Sequence, residues 1–93
     1  MSEKKVVTLR VKKKFFDMIE NSEKTSEYRK ECPYYDNKFL KKPTHLRLHY
    51  QQLVMIECEI KKITKIKTPS HFKLIHTPNC YKIDLVENSC VRI

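Results

Sequence analysis

The chain has 93 residues, 20 of them Lys or Arg against 11 Asp or Glu, so its formal charge is +9, and it contains no glycine. Walker loops, G-x-G-x-x-G dinucleotide fingerprints and G-x-S-x-G nucleophile elbows all use glycine to bring backbone against phosphate or to turn a strained corner, so these three classes are excluded. Sixteen lysines against four arginines, with no alanine, is a composition expected of an AT-rich genome, yet +9 on so short a chain still attracts polyanions, with nucleic acid ahead of acidic protein or membrane surface.

Residues 1–93 read as a single small domain whose core must be built from large side chains. Cys32, Cys58, Cys80 and Cys90 are widely separated with no C-x-x-C pair, and the first residues are charged rather than apolar. Reduced thiols and a soluble, cytoplasmic protein are the expectation. His45, His49, His71 and His76 stand outside zinc-finger register with the cysteines, so neither a metal nor a cofactor is expected. No apolar segment approaches the roughly 20 residues that cross a bilayer, so no membrane partner is expected either.

Val7, Leu9 and Val11 alternate with Thr8 and Arg10, which predicts a half-buried strand over Val6 to Val11. From Lys12 the period changes. Phe15, Phe16, Met18 and Ile19 fall on one side of a helix of two to three turns, and Asn21 and Ser22 end it, Asn21 being the residue suited to a left-handed turn. A stretch that is extended from Thr25 leads to an irregular loop, Cys32 to Pro43. Thr44 to Tyr50 is predicted as a strand, Gln51 and Gln52 as a turn, and Leu53 to Ile66 as a long strand that bends near Lys62 and curls around a barrel. Thr68 to Asn79, with Pro69 and Pro78, reads as loop with a short helical turn around Ser70 to Leu74. Tyr81, Ile83 and Leu85 mark a closing strand, and the tail to Ile93 a short edge. The order β-α-β-β-β-β predicts an α+β domain with a curled, mixed or antiparallel β-barrel, one main helix and a short second helical turn, and antiparallel pairing between sequential strands.

The segment after the helix carries the chemistry. In the run Ser22-Glu23-Lys24-Thr25-Ser26-Glu27-Tyr28-Arg29, an extended backbone puts Glu27 and Arg29 on one side and Tyr28 on the other, toward the core, with Lys24 at the near end. Cations for phosphate or carbonyl oxygens stand here with a carboxylate that accepts from an amine or a hydroxyl. The same spacing also suits a salt bridge on a solvated sheet face. With the preceding strand Val-Thr-Leu-Arg-Val, the loop Pro33-Tyr34-Tyr35 and the strand Thr44-His45-Leu46-Arg47, this segment resembles the ASCH domain of the PUA-like superfamily, whose hallmark is G-x-K-x-x-E-x-R. Lys24, Glu27 and Arg29 match three of its four fixed positions, and Ser22 stands where the family has glycine. The resemblance implies a small β-barrel with a cleft between barrel and helix for RNA or a nucleotide-like ligand. It implies Lys24, Glu27 and Arg29 as the binding residues, with Arg10, Arg47, Tyr34 and Tyr35 as further contacts. Some relatives resemble nucleases, and an amidohydrolase branch acts on acetylated cytidine. That branch has a threonine nucleophile at the place of Glu27, beside a lysine matching Lys24, so its activity does not transfer directly.

Other features are open. His45, Arg47 and His49 share one strand face, suited either to phosphate handling or to solvent. Tyr34 and Tyr35 among Lys30, Lys38, Lys41 and Lys42 suit base stacking or a cover for the barrel end. Lys61, Lys62, Lys65 and Lys67 form a second basic run able to extend a phosphate track. The leading expectation is an RNA- or nucleotide-binding domain. The alternatives are a small hydrolase, ribonuclease or amidohydrolase, using Lys24 and Glu27, and a virus-encoded interaction protein. Whether the chain is an enzyme, and its oligomeric state and protein partner, are left open.

Overall fold

The structure, a computed structural model, describes residues 3–51 and 53–93. Its order is β1 (Val6–Arg10), α1 (Lys13–Glu20), β2 (Ser26–Lys30), α2 (Pro33–Leu40), β3 (His45–Gln51), β4 (Val54–Lys67), β5 (Asn79–Leu85) and β6 (Val91–Arg92). The expected strands and main helix are present, and the tail does add a short edge strand on β4. Of the expected turn at Gln51 and Gln52, Gln51 ends β3 and Gln52 lies outside the described residues.

The strands form one curled half-barrel sheet in the order β1-β3-β4-β5-β2. The long β4 makes this possible: its first half pairs with β3 and its second half with β5, and a register shift between Ile60 and Lys62 bends it at the place expected. All pairs are antiparallel except β1 with β3, which run parallel. Antiparallel pairing was expected for sequential strands. β1 and β3 are not sequential, because α1, β2 and α2 intervene, and a connection of that length can return the chain in the same direction.

Val7 and Leu9 of β1 lie opposite Leu46 and Leu48 of β3, and with Ile56, Cys58 and Ile83 they form the buried face. On α1, Phe16 and Ile19 are buried against it, Phe16 meeting the Tyr50 ring edge-on at 4.8 Å. The helix closes in a Schellman turn: Glu23 N–H donates to the Met18 carbonyl at 2.8 Å and Ser22 N–H to the Ile19 carbonyl at 3.1 Å. The left-handed residue is Ser22, with φ 61°, and not Asn21, whose φ is −87°.

Three further expectations are corrected. The 32–43 segment is not an irregular loop, since it holds α2, which Pro33 starts at its first turn and which packs Phe39 inward. The second helical piece is therefore here and not at 70–74, where Phe72 N–H closes a single turn on the Pro69 carbonyl. The four cysteines are not all free: Cys58 and Cys90 form a disulfide that ties the C-terminal strand to β4, while Cys32 and Cys80 are free. Among the described residues, no helix is long and apolar enough to cross a membrane.

Candidate functional site

The site is set by the register of β2 on β5. Opposite residues of an antiparallel pair share a face, so Glu27 opposite Ile83 and Arg29 opposite Tyr81 both point to the interior of the half-barrel. Tyr28, expected in the core, points outward and packs its ring on Phe72 at 4.8 Å. The buried member of the strand is Glu27, whose side chain is 8% exposed. Its Oε1 accepts from the Tyr28 backbone N–H at 3.0 Å and lies 3.8 Å from Lys24 Nζ, whereas its Oε2 is buried with no hydrogen-bond partner.

Lys24 follows the Schellman turn directly, and its ammonium also sits 4.5 Å from the centre of the Phe15 ring. Arg29 bridges the sheet's two open edges. Its Nη2 donates to the Arg10 carbonyl on β1 at 2.8 Å and its Nη1 to the Tyr35 hydroxyl on α2 at 3.1 Å, while its Nε is buried and unpartnered. Two adjoining concavities meet at Glu27. One, of about 330 Å³, is walled by Phe15, Lys24, Phe72, Leu74 and Ile75; the other, of about 320 Å³, is walled by Arg10, Lys12, Arg29, Lys30 and Tyr35. Each is at the low end for small-molecule sites.

Of the seven residues expected in the cleft, the structure brings together Lys24, Glu27, Arg29, Arg10 and Tyr35. Tyr34 lies outside on the exposed side of α2, with Lys38 4.9 Å above its ring. Arg47 is on β3, where its Nη2 meets Glu57 Oε1 at 2.9 Å while Lys4 meets Oε2 at 2.6 Å. Lys4, then Arg47, hold the Glu57 carboxyl below the usual glutamate range. Thus the His45-Arg47-His49 face carries an ion-pair network, and His45 Nδ1 lies 2.9 Å from Thr44 Oγ1.

Sequence reasoning missed the walls contributed by Phe15, Phe72, Leu74 and Ile75. The last three are apolar residues of the segment Thr68 to Asn79, expected as loop with a short helical turn around Ser70 to Leu74, and their apolar character in a polar loop is the available signal. Among the described residues, no group of three or more His, Cys, Asp or Glu side chains is placed to hold a metal ion. Chemically, the cleft offers a buried carboxyl acceptor, the Lys24 ammonium 3.8 Å from it, the Arg29 guanidinium two residues along the same strand and aromatic walls, which is a set for a flat polar ligand bearing an N–H or O–H donor. Comparison of the chain with family models, with curated proteins and with solved structures finds no match.

Proposed function

We propose that this chain is an ASCH-like, PUA-type domain that binds RNA or a nucleotide-like ligand in the cleft of Lys24, Glu27 and Arg29. The observation that carries the reading is the buried Oε2 of Glu27, which has no hydrogen-bond partner, in a carboxyl group whose Oε1 lies 3.8 Å from the Lys24 ammonium. A buried carboxylate oxygen without a hydrogen bond is costly, and a ligand that supplies the donor offsets that cost. A base amine or ring N–H supplies one, Arg29 and Arg10 face the phosphate side, and Phe15 and Tyr35 offer rings for stacking. The left-handed backbone of Ser22 supports the resemblance further, because that is the position where the hallmark has glycine.

The hydrolase reading draws on the 3.8 Å separation of Lys24 and Glu27. Among the described residues the walls of the cleft hold no serine, threonine or cysteine, and Thr25 is exposed outside them, so hydrolysis by these residues would use water activated by that pair. Fluorescence titration of single-stranded and structured RNA across salt tests the binding reading. Affinity that falls with salt and with Lys24→Ala supports it; affinity indifferent to both rejects it. Cleavage of the RNA, or deacetylation of acetylated cytidine, by wild type and not by Glu27→Ala would replace binding with hydrolysis.

A further inference from the structure

A separate concavity, about 760 Å³ in volume, lies between the C-terminal end of α2 and the middle of β4. Its floor is apolar, with Phe39 and Ile63, and its rim is basic, with Lys42 on one wall and Lys61, Lys62 and Lys65 on the other. Lys65 is paired with Glu31 at 3.0 Å. The groove's own carboxylate, Asp36, accepts from the Tyr81 hydroxyl. Lys42, Lys61 and Lys62 are exposed, and among the described residues none of them makes an ion pair.

Two backbone irregularities converge on this arrangement. In an unbroken strand Lys61 and Lys62 would point to opposite faces, but the register shift between Ile60 and Lys62 makes Lys61 the extra residue, so both fall opposite Asp84, and both residues line the edge of the groove. Lys42 holds a left-handed backbone, φ 52°, at the end of α2, a conformation disfavoured for a residue with a side chain. Three uncompensated cations around an open groove are complementary to a repeating anion.

The groove and the cleft share one helix. Tyr35 of α2 walls the cleft and Phe39, one turn or about 6 Å along, floors the groove. We propose that the groove holds the sugar-phosphate backbone of the single-stranded RNA whose base occupies the cleft, with Lys42, Lys61 and Lys62 each contacting a phosphate. The choice of RNA as partner rests on the reading of the cleft; the polyanion site rests on the lysines themselves.

The test is a fluorescence titration of a single-stranded oligoribonucleotide of about twelve nucleotides across salt, beside titrations with a nucleoside monophosphate mixture and with a polyaspartate peptide. The groove variant is Lys42→Asn, Lys61→Ser, Lys62→Ser, Asn being tolerant of left-handed backbone. Loss of three phosphate contacts lowers the slope of log affinity against log salt by about 2 and weakens RNA binding roughly 100-fold at about 0.1 M salt. Monophosphate binding is unchanged in this variant. An unchanged salt slope overturns the proposal. Polyaspartate binding that matches RNA in the wild type and is lost in the variant overturns it in favour of an acidic protein. Failure of the cleft reading shows separately, as monophosphate binding that is absent or is unaffected by Glu27→Gln.

Discussion

At the scale of single residues, Glu27 is the anomaly. Among the described residues the interior buries aliphatic, aromatic and cysteine side chains, and Glu27 alone brings a carboxylate. Burying an ion costs several kcal/mol before its partners offset it, and here one oxygen has no partner. Glu27→Gln keeps the shape and keeps an acceptor for the Tyr28 N–H. It should therefore leave stability unchanged or raise it by up to about 2 kcal/mol in urea unfolding. A loss of more than about 1 kcal/mol would make the carboxylate structural. Glu57 behaves in the opposite way. Lys4 and Arg47 lower its pKa from the ordinary 4.5, so on acidification the unfolded chain takes up the proton first. The stabilisation is present above pH 4.5 and is lost as pH falls through the lower folded value. Glu57→Gln should flatten that part of the stability–pH curve, and an unaltered curve would remove the pair from the account.

At the scale of elements, what the sequence revealed depended on whether an element's pattern was local. β1, β3, β5 and α1 each repeat their apolar residues at a regular period, and Leu46 and Leu48 are wholly buried as alternation requires. The bend in β4 was also legible, because apolar alternation breaks at Lys61 and Lys62. α2 was not. Pro33, Asp36 and Asn37 are turn residues by composition, and only the spacing of Tyr35 and Phe39 belongs to a helix; the packing of Phe39 edge-on against Tyr81 at 4.7 Å decides the matter. Nor could the inward face of β2 be read. Tyr28 is the more apolar residue, but the register with β5 assigns Glu27 to the interior. Because α2 stands on that contact, Phe39→Ala should cost about 3–4 kcal/mol, and amide exchange should accelerate through α2 before β3. Uniform acceleration would show that α2 is not separately anchored.

At the scale of the whole molecule, the sheet is open between β1 and β2, and Arg29 spans the gap by its bond to the Arg10 carbonyl. The cleft is thus the opening of the half-barrel, covered by α1, α2 and the 68–78 loop, and its residues come from elements far apart in the chain. This is why the Lys24, Glu27 and Arg29 triad was visible as a motif while its walls were not. The Cys58–Cys90 link closes a loop with sequence separation 32, worth at most about 3–4 kcal/mol through the unfolded chain. It also holds in place the tail whose Arg92 meets Glu20 of α1 at 2.7 Å. Thiol titration of the denatured, unreduced protein should find two free thiols, Cys32 and Cys80, and Cys90→Ser should lower the urea midpoint; four free thiols would remove the tether.

On the binding reading, the second oxygen of Glu27 accepts the ligand's donor. The most direct measurement is the calorimetric affinity of wild type and Glu27→Gln for the same single-stranded RNA at fixed salt. Losing one charge-assisted hydrogen bond should weaken binding about 10- to 100-fold in a variant that is folded and no less stable. Equal affinity in that folded variant would show that Glu27 does not take part in binding.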